Sequence, residues 1–257
     1  MNLFDLSGKT AVIIGGNSTL GGEMAVGLAG HGAKVAIVGR NQETAAAVCS
    51  RIAEAAPGAE SRCFAADATS ADDLKRVLAE VLDWSGSVDI LMNCPGKNSA
   101  TPFFEITEEE WDGIMDVNLK SVVLACQIFG KQMTESGRGG SIINISSVSS
   151  DPPLSRVFTY SASKAAVNNV TQFLAREFAP SGVRVNAIIP GFFPAEQNRK
   201  ILSPERTESI LNHTPMRRFG EARELQGAAI YLASDAASGF VTGSIIRVDG
   251  GFGAMTI

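Results

Sequence analysis

Thr10-Ala11-Val12-Ile13-Ile14-Gly15-Gly16-Asn17-Ser18-Thr19-Leu20-Gly21-Gly22 is an apolar, β-branched run that breaks into glycines and resumes at helical spacing. A buried strand, a tight turn and a helix running over about 20–30 explain that pattern most simply. A helix start leaves its first N–H groups unpaired and carries the positive end of the helix dipole. The turn is therefore a candidate anion site, suited to a pyrophosphate. Glycines would serve a merely tight, closely packed connection in the same way.

The same alternation runs outward along the chain. Short apolar runs at 34–38, 61–65, 88–92, 141–145, 183–188 and 244–248 read as six further strands. Most lack polar alternation, as expected of parallel strands covered on both faces. Between them lie helix signals. Asn41 caps a helix that stops at Pro57-Gly58, and Ser70 precedes the stripe Leu74, Val77, Leu78, Val81 and Leu82. Thr107 and Glu110 have capping-box spacing, and Ser203-Pro204 places a cap before a first-turn proline. No linker or repeat divides the chain. The reading is one doubly wound α/β domain over 1–257, with a seven-stranded, mostly parallel sheet flanked by helices. Such sheets bind ligands at the carboxyl ends of their strands.

Composition narrows the function classes. The 257 residues are 45% hydrophobic and 19% charged, which excludes a disordered chain. Lys+Arg is 22 against Asp+Glu 27, a net charge of -5, with no basic cluster that would mark a nucleic-acid partner. No apolar stretch approaches the roughly 18 residues of a membrane span, and no secretory signal opens the chain. Cys49, Cys63, Cys94 and Cys126 form no CxxC pair and read as buried reduced thiols, which fits a cytoplasmic protein. With only two histidines, no metal site is expected.

Two further stretches carry chemistry. The second strand ends at Gly39-Arg40, where a dinucleotide fold meets the adenosine ribose. An acidic residue there suits a 2′-hydroxyl. Arg40 instead offers a fork to a 2′-phosphate, with Gly39 leaving room for it, so NADP(H) is favoured over NAD(H). Tyr160 and Lys164 stand four residues apart, on one face if the segment is helical. A cation beside a phenol favours phenolate, so Lys164 is expected to lower the Tyr160 pKa and make it a general acid–base. Ser146 and Ser147 end the fifth strand, where a hydroxyl could hold a substrate oxygen.

Taken in order, the glycine-rich turn, Asp67, Asn93 to Gly96, Asn118, Ser147, Tyr160, Lys164 and Pro190-Gly191 resemble the short-chain dehydrogenase/reductase family over nearly the whole chain. The resemblance implies a Rossmann-type domain that uses a nicotinamide dinucleotide for hydride transfer. It implies Tyr160 as proton donor and acceptor, with Lys164 lowering its pKa and bonding the nicotinamide ribose. Ser147 would position the substrate oxygen, and Asn118 would complete a proton relay through a water. Gly15, Asn17, Ser18, Thr19, Leu20 and Gly21 would hold the phosphates. Asp67 and Ala68 would meet adenine. Asn93, Pro95, Gly96, Pro190, Gly191 and Phe193 would line the nicotinamide side.

The chain departs from the family's TGxxxGxG turn at Thr19, which replaces the middle glycine. Either the backbone there is ordinary and the Thr19 hydroxyl contacts phosphate, or cofactor affinity drops. Asn-Asn-Ala-Gly becomes Asn93-Cys94-Pro95-Gly96, and the threonine expected after Pro-Gly becomes Ala195. The segment of about 190–220 and the ending Val248-Asp249-Gly250-Gly251-Phe252 look like the fructuronate reductase or D-mannonate oxidoreductase branch. A keto sugar acid is thus the expected small-molecule substrate, with Arg199, Lys200, Lys97 and Asn98 as candidate contacts. A 3-oxoacyl thioester reductase, docking an acyl carrier on Arg138, Arg156, Arg217 and Arg218, is the alternative. A catalytically silent cofactor-binding scaffold is a third reading. The apolar helix over 117–133 and the C-terminus at 252–257 imply, through the resemblance, a homotetramer.

Overall fold

The computed structural model describes residues 2–194 and 203–255. Its centre is a seven-stranded sheet in the order β3-β2-β1-β4-β5-β6-β7. The strands are β1 (Thr10–Ile14), β2 (Lys34–Gly39), β3 (Ser61–Ala65), β4 (Ile90–Asn93), β5 (Gly140–Ile145), β6 (Val183–Pro190) and β7 (Ile245–Val248). Every neighbouring pair is parallel, so the expected mostly parallel sheet is parallel throughout. The expected strand at 88–92 begins two residues later, and β6 continues to Pro190, which pairs with Val248.

The opening stretch shows why the sheet is buried on both sides. Successive strand residues point to opposite faces. Ile13 packs with Met24, Leu28 and Ile37 on one face, while Ile14 packs with Leu74, Val81 and Val122 on the other. Both are essentially inaccessible. Truncating either to Ala would cost about 2–5 kcal/mol by lost burial and cavity formation.

The helices cover these faces. They include α1 (Thr19–Gly30), α2 (Gln42–Ala55), α3 (Ala71–Ser85), α4 (Glu108–Met115), α5 (Ser121–Glu135) and α6 (Phe158–Phe178), followed by Pro204–His213, Gln226–Ala233 and Asp235–Ser238. The expected caps form, Asn41 on α2 and Ser70 on α3 each accepting a first-turn N–H, and Ser18 does the same for α1. The expected capping box on α4 forms only by half. Thr107 accepts the Glu110 N–H, but the Glu110 carboxylate turns away to Ser99 Oγ and Thr101 Oγ1, each at 2.6 Å. Two hydroxyl donors outcompete one backbone N–H for a charged acceptor.

A π turn, Asp116–Lys120, joins α4 to α5, so Glu108–Glu135 is one helical run of 28 residues, within which an 18-residue window has mean hydropathy 1.2. This run reaches the length and apolarity of a membrane span, contrary to the expectation. Its burial explains the composition: Ile114, Val122, Cys126, Phe129 and Met133 sit in the core. The thiols also differ from expectation. Cys126 is buried, Cys49 and Cys63 are partly exposed, and Cys94 is partly exposed as a residue while its thiol is enclosed by protein. The Cys49 and Cys63 sulfurs lie 2.9 Å apart between α2 and β3.

Candidate active site

A cleft of about 690 Å³ opens at the carboxyl ends of β1, β4, β5 and β6. Ser18, Thr19 and Leu20 line it, as do Pro95, Gly96, Ser147, Tyr160, Lys164, Pro190, Gly191 and Phe193. Residues separated by up to 175 positions meet because parallel strands deliver their following loops to one edge.

The glycine-rich turn forms one end. Gly15 has φ +74°, and a Cβ there would lie 3.0 Å from the Cys94 carbonyl oxygen, so the turn lies directly on the loop after β4. A Cβ on Gly21 would press on Gly15 O at 2.7 Å. Ser18 Oγ accepts the Gly21 N–H, and the helix start leaves the first-turn N–H groups of Thr19 and Leu20 pointing out of α1. Thr19 is the first residue of α1. Among the described residues only Arg156 and Arg217 combine a side chain with positive φ. The backbone at Thr19 is therefore ordinary, and its exposed side chain borders the cleft. The cradle suits a pyrophosphate: it offers free N–H groups and a helix dipole, with the Ser18 and Thr19 hydroxyls beside them.

The adenosine end lies outside this cleft. Arg40 is exposed after β2, and its charge reaches Asp67 after β3. Asp67 Oδ1 accepts from Thr69 N and Thr69 Oγ1, which hold its carboxyl below the usual range, assisted by Arg40. Ala68 follows, half-buried against the α3 side of the core. Gly39 does not leave the expected room for a phosphate. A Cβ there would lie 2.2 Å from Asn17 Oδ1, so the Asn17 side chain already covers it, held by a 3.0 Å bond from its Nδ2 to Thr44 Oγ1. The glycine is required by Asn17.

Lys164 is the hub of the reaction end. Its Nζ is buried and donates to Ile145 O at 2.8 Å and Pro95 O at 3.2 Å, while Ser146 Oγ donates to its main-chain carbonyl. Pro95 thus contributes the carbonyl it keeps, not the N–H it lacks. Burial pushes the Lys164 amine down to about 8, opposed by the nearby Cys94 thiol. Cys94 itself is raised to about 12 by burial.

Tyr160 corrects an expectation. Lys164 Nζ stands 5.8 Å from the centre of the phenol ring, as the four-residue spacing implied. Yet the phenol pKa is raised, because burial disfavours phenolate, and the opposing influence is the Ser147 hydroxyl. Lys164 spends its donors on carbonyls instead. Ser147 is well set for the task. Its Oγ accepts from Ser149 N at 3.2 Å and Ser149 Oγ at 3.1 Å, which leaves its own proton for the phenol or a substrate oxygen.

Two expected site residues lie behind the cleft wall. Asn118, in the π turn, accepts Lys97 N at 2.7 Å and donates to Lys97 O and Ser163 Oγ, both at 2.9 Å. Its side-chain donors are used up, so it pins the loop after β4 to α6 one residue before Lys164. Asn93 is buried and donates to Asn144 Oδ1 at 2.9 Å, tying β4 to β5. Sequence reasoning missed Ser149, Leu154, Arg206 and Ile210, all of which line the cleft. Ala195, Arg199 and Lys200 lie outside the described residues, as do Thr256 and Ile257.

Comparison with known proteins agrees with this geometry. A family profile described as enoyl-(acyl carrier protein) reductase matches residues 15–253. An uncharacterised oxidoreductase of Bacillus subtilis (strain 168), UxuB, is 39% identical over 96% of each chain. A gluconate 5-dehydrogenase of Burkholderia cenocepacia J2315, solved with NADP and tartrate, superposes with a TM-score of 0.92 at 33% identity over 99% of each chain. A protein provisionally named D-mannonate oxidoreductase from Haemophilus influenza, solved with NAD, gives 0.92 at 32% identity over 98% of this chain and 97% of its own.

Proposed function

The chain belongs to the short-chain dehydrogenase/reductase family, and from that premise we propose that it interconverts a secondary alcohol and a ketone on a sugar acid with NADP(H). The observation that carries the reaction is the convergence of Ser147, Tyr160 and Lys164 on one cleft beside the α1 N-terminus. The bound dinucleotide supplies or accepts the hydride.

This chain's own groups do the rest. Ser147 donates to the substrate oxygen and fixes it against the phenol. Tyr160 gives that oxygen a proton on reduction and takes it back on oxidation. Its raised pKa keeps it protonated at neutral pH, which suits the reductive direction. Lys164 presents a positive charge through the lower neutral range, holds β4 to β5, and offers its third N–H to a ribose hydroxyl. Asn118 acts by positioning, through Lys97 and Ser163. Thr19, Leu20 and Ser18 would hold the phosphates, Asp67 and Ala68 the adenine, and Pro190, Gly191 and Phe193 the nicotinamide.

Arg40 supports NADP(H), since the strand-two end carries a cation and no carboxylate. Relatives of similar closeness bind NADP in one case and NAD in another, so the preference rests on Arg40. A keto sugar acid such as fructuronate is favoured by the gluconate and mannonate relatives. The acyl-carrier reading has a weaker docking patch: of its four arginines, Arg138 pairs with Asp89 and Arg218 with Glu224. The exposed Phe173 and Phe240, and the open edge at β7, support a homotetramer. The free thiols support a cytoplasmic setting.

The test is paired titration with NADPH and NADH by nicotinamide fluorescence, then turnover against a panel of keto sugar acids and 3-oxoacyl thioesters. NADPH binding at least about tenfold tighter, about 1.4 kcal/mol, supports the Arg40 assignment. NADH preference refutes it. Cofactor binding without turnover of any ketone would establish the silent scaffold.

A further inference from the structure

We propose that Arg206 is the carboxylate anchor of the cleft, taking the acid group of a sugar-acid substrate while Ser147 and Tyr160 hold the reacting oxygen. The proposal rests on the sugar-acid reading above and adds the residue that enforces it.

Three cationic side chains line the cleft among the described residues: Lys97, Lys164 and Arg206. Two are committed elsewhere. Lys164 holds the carbonyls of Ile145 and Pro95. Lys97 turns toward α4: its Nζ lies 2.8 Å from where a Cβ on Gly113 would sit, and its charge acts on Glu110. Arg206 is different. Among the described residues no carboxylate lies within ion-pair distance of it, and its one side-chain hydrogen bond is from Nη1 to Ser155 Oγ at 3.3 Å. A guanidinium has five donors in a planar fork, so a bidentate face remains for a carboxylate.

The placement is built. Arg206 stands in the first turn of the helix Pro204–His213, where Ser203 Oγ accepts its backbone N–H at 3.2 Å. One turn on, Ile210 is buried and lines the same cleft, which sets that face of the helix inward. Ser155 belongs to the loop between β5 and α6, so the guanidinium spans two walls of the mouth. Leu154, Val157 and Phe192 make the surroundings apolar, which strengthens a charge-assisted bond.

The experiment compares wild type with Arg206→Ala and Arg206→Lys. Substrates are a sugar acid from the panel and its neutral analogue, the corresponding ketose or polyol without the carboxylate. Arg206→Ala should raise KM for the acid at least about tenfold, about 1.4 kcal/mol, with kcat little changed. KM for the neutral analogue and the Kd for NADPH should stay as in wild type, which also shows that the variant is folded. Arg206→Lys should fall between. Equal losses on acid and neutral substrates, or no loss on either, overturn the anchor while leaving the sugar-acid reading intact. Wild-type turnover of neutral ketones with no sugar acid accepted overturns the sugar-acid reading and the anchor with it.

Discussion

Replacing Lys164 with Met in the cofactor-free protein separates the cost of burying a charge from the bonds that charge makes. Burial takes the amine from 10.5 in the unfolded chain to about 8 in the fold. Below pH 8 the amine is protonated in both states, and the fold carries the full burial cost. A shift of about two and a half units corresponds to about 3 kcal/mol. Between pH 8 and 10.5 the folded protein has released a proton that the unfolded chain still holds. Stability contributed by this lysine therefore rises with pH through that window. Met has no such proton. Met also leaves the carbonyls of Ile145 and Pro95 without their donor, at about 1–3 kcal/mol each, independent of pH. The raised thiols of Cys63, Cys94 and Cys126 and the raised phenol of Tyr160 act in the opposite direction at higher pH, but they are common to both proteins and largely cancel. The assay is urea unfolding of wild type and variant at pH 7 and pH 9. The stability advantage of wild type should widen by about 1 kcal/mol between them. An unchanged difference would mean that Lys164 keeps its charge in the fold through pH 9, and that the buried amine described above is wrong.

Tyr160→Phe removes only the hydroxyl proposed to transfer the proton; turnover should fall by about 10²–10⁴ with NADPH affinity retained, measured by single-turnover kinetics and fluorescence titration. Arg40→Ala should weaken NADPH at least about tenfold and leave NADH unchanged, and equal losses for both would remove Arg40 from the 2′-phosphate. Gly39→Ala forces Asn17 off its contact with Thr44, and should weaken both dinucleotides with little change in unfolding midpoint. Light scattering on the eluting protein should give about four times the 27.0 kDa chain mass, and a single-chain mass would refute the tetramer.

The sheet was legible because its signal is local. Runs such as 10–14 and 34–38 show their burial by unbroken apolarity, and Asn41 and Ser70 announce the helices that follow. The residues that meet in the cleft could be named from their order along the chain. What they do to each other could not. Four-residue spacing puts Lys164 on the phenol's face, but the sign of the Tyr160 shift depends on how much protein covers the ring. Gly39 read as space until Asn17, 22 positions away, was seen to fill it. Nothing in the sequence distinguishes Arg206 from other arginines, and only the fold shows that its face turns inward beside Ile210. The Glu110 carboxylate was placed in a cap on spacing alone, whereas Ser99 and Thr101 compete for it from a loop no local pattern describes.

The strand order has an evolutionary consequence. Chain that precedes β4 supplies the phosphate turn, Arg40 and Asp67; chain that follows it supplies Ser147, Tyr160, Lys164 and Arg206. On the proposed function, the first third of the molecule would hold the phosphate and adenosine end of the dinucleotide, and the remainder its nicotinamide end and the substrate. The two meet at few places in the site, chiefly where Gly15 lies on Cys94 and Pro95, the same Pro95 whose carbonyl Lys164 holds. A hybrid gene joined just before β4 would exchange coenzyme preference between relatives without redesigning the substrate pocket, provided that a glycine and a proline still face each other across the seam.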